Sequence, residues 1–202
     1  MVIYLRIMFV YIYDATSWHN WRFNMKNTVL LVVDVQNTLI ESHPFNERNV
    51  IDNIKKLIKS ARKNNIEVVY VRHGDGVGTP FEKNTQSWEI YHKIKPIDDE
   101  TIFDKKFNSA FFKTGLEIYL DSKNIENIIL VGLQTEYCID ATCKSAFDLG
   151  YKVIIPEETN TTFSNEYLSG ENLYKFYNFK IWNNRFARVV SMLEVETMIC
   201  SI

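Results

Sequence analysis

Residues Ile128, Ile129, Leu130 and Val131 form an unbroken apolar run that ends at Gly132. A short run of this kind, closed by a turn signal, is the pattern of a strand buried on both faces inside a parallel sheet. From about Cys138 the period becomes helical: Ile139, Ala146 and Leu149 recur at helix spacing with Cys143 and Phe147 between them, and Gly150 follows as a stop. A buried strand feeding a helix points to an α/β architecture, in which the helix carries the chain back over the sheet.

Cys138 therefore sits where a loop turns into a helix. A thiol there meets unpaired backbone N–H groups and the positive end of the helix dipole, and both favour the thiolate. The same N–H groups can hold a developing oxyanion, so one turn offers a nucleophile and part of an oxyanion hole, the minimum equipment of acyl transfer. The competing reading is a small buried hydrophobe, which is what Cys143 and Cys200 are expected to be.

With 46% hydrophobic and 24% charged residues in a chain of 202, one well-buried core is expected, in a single domain over residues 25–202. A net charge of -2 without a long basic run recommends neither a nucleic-acid nor an anionic-membrane partner. Three cysteines, at 138, 143 and 200, give no disulfide framework and no C-x-x-C zinc pair, which fits the reduced cytoplasm best. Residues 1–24 differ from the rest, apolar to Tyr13 and then polar and aromatic to Asn24. The apolar part is too short to span a bilayer and lacks the basic start and small-residue cleavage site of a signal peptide. These residues are expected to be a dispensable extension, disordered or not native, of a functional protein that starts at Met25.

Residues 29–36 read as a buried strand ending in Asp34, Val35 and Gln36. Groups at the carboxyl ends of strands line the ligand crevice of open α/β sheets, which puts Asp34 where a general base is wanted; capping the next turn is an equal alternative. Residues 47–64 carry Val50, Ile54, Leu57, Ile58 and Ala61 on one face, an amphipathic helix, and residues 67–72 are the second strand. The loop beyond holds His73 and Asp75, two candidate metal ligands without a third at a fitting spacing, so no metal or other cofactor is expected. A long polar connection over residues 81–104 leads to Lys105 and Lys106 amid aromatics, where one lysine is expected to point inward toward a carboxylate or a developing negative charge. A short helix over 115–120 precedes the organising strand, and residues 152–155 are the next parallel strand. A helix over 165–177 interrupted by Gly170, a last strand over 179–182 and a final helix over 185–198, with Phe186, Val189, Val190 and Leu193 inward, complete the chain. The alternation specifies a doubly wound, mostly parallel sheet flanked by helices in three layers, α/β/α.

Taken together, Val-Asp34-Val-Gln36, Lys105-x-x-x-Ser109-Ala-Phe, Gly132-x-x-Thr135-x-x-Cys138 and Ala146-x-x-x-Gly150-Tyr-Lys-Val resemble the isochorismatase-like cysteine hydrolases, and the resemblance runs from about Met25 to the end. It implies a triad in which Cys138 is the nucleophile, Asp34 takes its proton and passes it to the leaving group, and Lys105 holds Asp34 ionised. Lys105 is preferred to Lys106 because the family motif places the lysine four residues before the serine. The resemblance also implies a cis Leu133–Gln134 peptide, with the backbone N–H groups of Gln134 and Cys138 as the oxyanion hole. Gln36, Trp88, Phe111 and Tyr137 are candidate pocket walls.

Relatives of the nicotinamidase branch carry an Asp-x-His…His zinc site after the second strand, and residues 71–76 here do not match it. The implied activity is hydrolysis of a C–N bond in a small amide or carbamoyl substrate through an acyl-enzyme on Cys138, without metal. The alternatives are an isochorismatase- or nicotinamidase-type hydrolase, or a non-catalytic small-molecule binder on the same fold. The expected partners are the small-molecule substrate and further copies of the chain, in a dimer or larger oligomer.

Overall fold

The computed structural model describes residues 25–97 and 100–201. The extension expected over residues 1–24 lies outside the described residues. Seven strands, β1 (Thr28–Val33), β2 (Glu67–His73), β3 (Ile102–Lys105), β4 (Asn127–Leu133), β5 (Lys152–Pro156), β6 (Asn160–Thr161) and β7 (Arg188–Val190), make one sheet. Its order is β3-β2-β1-β4-β5-β7, with β6 added on β4, and every pairing is parallel. From β1 the chain winds outward through β2 to β3, then returns to lay β4 on the other side of β1. That reversal is a topological switch point, and it opens a crevice beyond the carboxyl ends of β1 and β4.

Among the described residues six α-helices form, α1 (Asn37–Ile40), α2 (Glu47–Lys63), α3 (Leu116–Ser122), α4 (Asp140–Asp148), α5 (Gly170–Lys175) and α6 (Met192–Cys200). Alternate residues of the central strands enter opposite layers. Leu30, Val32, Ile129 and Val131 pack with Ile54 and Leu57 of α2 and Val195 and Ile199 of α6. Val29, Leu31, Val33, Ile128 and Leu130 pack with Leu116 and Leu120 of α3 and Cys143 and Ala146 of α4. This is why β1 and β4 read as continuous apolar runs: both of their faces are inside. Met25 is buried against the first of these clusters, immediately before β1.

Gly132 sits at φ +130° beside Val33, and a Cβ there would lie 1.9 Å from the Val33 carbonyl oxygen. Only glycine lets β1 and β4 close at this point. Gly170 is the other obligatory glycine, since a Cβ would meet Phe45 Cβ at 2.9 Å and the Thr162 carbonyl oxygen at 3.0 Å. It opens α5 behind the cap of Ser169 Oγ, which accepts from Asn172 N, rather than interrupting a longer helix.

Several expectations are corrected, most of them near the end of the chain. Residues 179–182 are not a strand: Phe176–Trp182 continues α5 as a wide π-helical turn, and Trp182 is buried with its indole N–H donating to Asp140 Oδ1 at 2.9 Å. The last strand is instead β7, inside the stretch expected to be the start of a final helix. That helix begins at Met192 because Ser191 Oγ accepts from Glu194 N at 3.2 Å. Leu193 then points to solvent, 75% exposed. In the middle, the connection expected over residues 81–104 ends in β3, which pairs with β2. Leu149, in helical period with Ile139 and Ala146, is exposed, and so is Cys200, expected to be a small buried hydrophobe.

Replacing Gly132 with alanine should force β1 and β4 apart. A loss of roughly 3 kcal/mol or more is expected, read as a fall in Tm of about 10 °C in thermal unfolding by circular dichroism.

Candidate active site

Each central element delivers one side chain to the crevice. Asp34 follows β1 directly, in the left-handed region at φ +54°, with its N–H bonded to the Val71 carbonyl at 2.8 Å. Aspartate is among the few residues that adopt this conformation readily. Lys105 ends β3, two strands away, and its four-carbon stem crosses to Asp34. Cys138 lies in a π-helical turn, Thr135–Ile139, that leads into α4, so the helical turn starts three residues earlier than the sequence period suggests. The Leu133–Gln134 peptide before that turn is cis. The Gln134 N–H makes no hydrogen bond among the described residues.

Lys105 Nζ is 2.7 Å from Asp34 Oδ2, with both side chains almost fully buried. It also lies 3.1 Å from Cys138 Sγ, 3.0 Å from the Phe107 carbonyl oxygen and 3.4 Å from His73 Nδ1. Lys106 is exposed, which leaves Lys105 as the inward member of the pair. Burial pulls the Lys105 ammonium toward neutrality, but Asp34 and Cys138 outweigh it and raise its pKa. For Cys138 the balance runs the other way. Burial and the Asp34 carboxylate push the thiol up to about 12 against the pull of Lys105. The resting group is therefore a thiol, and the thiolate expected from a helix terminus alone is not favoured, because desolvation and a neighbouring carboxylate exceed the dipole effect. His73 is held below its ordinary pKa by burial and by the Lys105 charge.

Asp34, Cys138 and Gln134 open on a cavity of about 160 Å³. Leu39 and Phe81 give it an apolar wall, and His73, Asn108 and Tyr137 a polar one. Of the four residues expected as pocket walls, Tyr137 lines this cavity, while Gln36, Trp88 and Phe111 do not. Gln36 is buried and clamps the chain: its Nε2 donates to the carbonyls of His73 and Trp88, and its Oε1 accepts from His73 N. Trp88 lies under the Arg72 guanidinium, 3.5 Å from ring centre to Cζ. Phe111 stacks on Tyr151 in the core between sheet and helices. Leu39 in the short α1, and Phe81 and Asn108 in loops, carry no sequence signal for a site, whereas His73 stood out only as a possible metal ligand. Among the described residues no group of three His, Cys, Asp or Glu side chains is arranged to hold a metal ion, and no helix is long and apolar enough to cross a membrane.

Behind the Cys138 turn, Thr135 Oγ1 donates to Asn160 Oδ1 at 2.9 Å, and Asn160 and Asn178 exchange amide hydrogen bonds at 2.9 and 3.1 Å. All three residues are fully buried. The network ties β6 and the π-helical turn after α5 to the turn that carries Cys138, and it fixes where the sulfur stands.

Fold and crevice define a doubly wound α/β protein with a carboxylate, an ammonium and a thiol gathered at its switch point. The Isochorismatase domain profile matches residues 28–192, and the chain belongs to the isochorismatase family. It is 30% identical over 137 residues to streptothricin hydrolase of Streptomyces noursei, an alignment covering 66% of this chain and 49% of that protein, so it spans about half of that relative's length. It is 23% identical over 205 residues to the ureidoacrylate amidohydrolase RutB of Agrobacterium fabrum, covering 81% of this chain and 90% of the relative. Among solved structures, a cysteine hydrolase from Pseudomonas syringae pv. phaseolicola superposes with a TM-score of 0.81 at 24% identity, over 90% of this chain and 96% of that one, a likeness of fold.

The charge balance gives a signed expectation. Asp34→Asn removes the carboxylate that helps hold the Cys138 proton and leaves Lys105 without its first partner. The midpoint for iodoacetamide alkylation of Cys138, followed against pH by mass spectrometry, should fall clearly below about 12. Stability should fall with it, by the roughly 3–5 kcal/mol typical of a broken buried pair, read as a lower Tm. An unchanged or higher midpoint would mean that Asp34 does not hold that proton.

Proposed function

We propose that this chain is a cysteine hydrolase that cleaves the C–N bond of a small amide or carbamoyl compound through an acyl-enzyme on Cys138. The observation that carries it is one ammonium, Lys105, within 2.7 Å of a buried carboxylate and 3.1 Å of a thiol that shares a cavity with it. Two relatives named for amide or related hydrolysis support the reaction class.

In the first half-reaction Asp34 accepts the Cys138 proton as Sγ attacks the substrate carbonyl carbon. The oxyanion is held by the backbone N–H groups of Gln134 and Cys138. The tetrahedral adduct collapses with cleavage of the C–N bond, and protonated Asp34 returns its proton to the departing nitrogen. In the second half-reaction a water attacks the thioester, giving one proton to Asp34, and Sγ leaves and takes that proton back. The products are an amine or ammonia and a carboxylic or carbamic acid. Lys105 keeps its positive charge throughout and stabilises whichever neighbour is anionic.

A panel of small primary amides, ureides and carbamoyl compounds, followed by release of ammonia or amine, tests this. Cys138→Ala should reduce turnover by about 10⁴-fold or more with an unchanged circular dichroism spectrum. Rapid quenching of the native enzyme should give an acyl adduct on Cys138 by mass spectrometry. Full activity of Cys138→Ala on a confirmed substrate would reject the mechanism.

A further inference from the structure

His73 stands in the cavity wall at the end of β2 and has no part in the proton transfers above. Its backbone is fixed on both sides by Gln36, at 2.9 Å to the carbonyl and 2.9 Å from the N–H. Its ring packs edge-on against Phe81, with centroids 5.2 Å apart. Nδ1 lies 3.4 Å from Lys105 Nζ. An ammonium has no lone pair to offer, so a proton on Nδ1 would find no acceptor there, and the unprotonated Nδ1 is the form that fits this contact. The ring proton then sits on Nε2, and Nε2 makes no hydrogen bond among the described residues.

We propose that His73 is the substrate-recognition residue of this cavity, its Nε2–H donating to an acceptor atom on an uncharged small amide. The substrate class rests on the hydrolase assignment; the state of the ring rests on its contact with Lys105 and on its burial. Burial and the Lys105 charge both disfavour the imidazolium, against weaker support for it from Asp34 and Asp75, so the donor is neutral. Among the described residues, no lysine or arginine side chain lines the cavity, and Lys105 is engaged by Asp34. A substrate bearing a carboxylate would therefore face Asp34 without a free cation, a repulsion that excludes it as effectively as the donor selects its neutral counterpart. The volume of about 160 Å³ admits only a compact molecule unless it extends through the open side past Tyr137, which is 50% exposed.

Side-chain ¹⁵N spectra of the full chain labelled in histidine test this directly, with the His73 signals assigned by their loss in His73→Gln. At neutral pH His73 should be the neutral Nε2–H tautomer. Methoxyacetamide, which carries an ether oxygen, should shift that nitrogen and its proton, and butyramide, of the same shape without that acceptor, should not. An imidazolium, an Nδ1–H tautomer, or equal responses to both compounds would overturn the proposal. On a neutral amide that carries such an acceptor and that the enzyme hydrolyses, His73→Phe should raise KM by roughly fivefold with a smaller change in kcat. His73→Gln, which keeps a neutral N–H donor, should recover part of the loss. A change confined to kcat, or no change, would also overturn it. Absence of any hydrolysis, or hydrolysis that survives Cys138→Ala, would instead reject the hydrolase assignment and leave the spectroscopic result to stand by itself.

Discussion

The arrangement of the crevice depends on the buried ion pair between Asp34 and Lys105. Two charges removed from water cost several kcal/mol each, and their attraction offsets this only where the remaining protons and lone pairs are also satisfied. Lys105 meets that condition, its three protons facing Asp34, the Phe107 carbonyl and Cys138 Sγ, whereas Asp34 Oδ1 has no hydrogen-bond partner among the described residues. The same contacts distribute the charge: they hold Lys105 ionised, help to depress His73, and draw the loop after β3 toward the cavity. Lysine suits the position because β3 is two strands from β1, and a shorter cation would not cross that distance.

The sheet supplies the geometry that makes this pair possible. Switching direction between β1 and β4 brings the ends of two strands, and hence Asp34 and the Cys138 turn, side by side. Gly132 permits their close approach, and the Thr135–Asn160–Asn178 network holds the turn from behind. Such a buried polar network specifies one arrangement because every alternative leaves an amide or hydroxyl unpaired. It also explains a two-residue strand as short as β6. Its pairing with Gly132 and Leu133 is a small contribution to the sheet, but it fixes Asn160 beneath the turn that carries Cys138.

What the sequence discloses follows the strength of local signals. The central strands and α2 were legible because their apolar patterns are long and their burial is complete on one or both sides. β3 was not, since four residues with an exposed Asp104 carry no period that separates them from a loop; only pairing with β2 makes them a strand. At the other end, Ser191-Met-Leu-Glu194 is a capping signal that marks the true start of α6, and the apolar residues before it disguised β7 as part of the helix. In the crevice, Asp34, Lys105 and Cys138 stand in motifs that the sequence displays, while Leu39 in the four-residue α1, and Phe81 and Asn108 in loops, reach the cavity through local conformations that no residue pattern encodes. Aromatic character alone misdirected the choice of pocket walls: Trp88 and Phe111 are large enough to be worth burying, and the core took both.

The high pKa of Cys138 bears on how such a cluster can react. A value of about 12 describes loss of the proton to bulk water, which leaves a second anion beside Asp34 in a buried site. In the proposed reaction the proton goes to Asp34 instead, and the cluster has one cation and one anion before and after. Lys105 exchanges a carboxylate partner at 2.7 Å for a thiolate partner at 3.1 Å. At an effective dielectric constant of about 20 the Coulomb difference between those separations is about 1 kcal/mol, far less than the cost of creating an unpaired buried charge. The surroundings that make the isolated thiol a poor acid thus add little to internal transfer, whose cost is set by the roughly 6 kcal/mol between an ordinary thiol and an ordinary carboxylate. They also confine it to the moment when an electrophilic carbonyl is present to take the sulfur's electron pair, which keeps the resting thiol from reacting with whatever else enters the cavity.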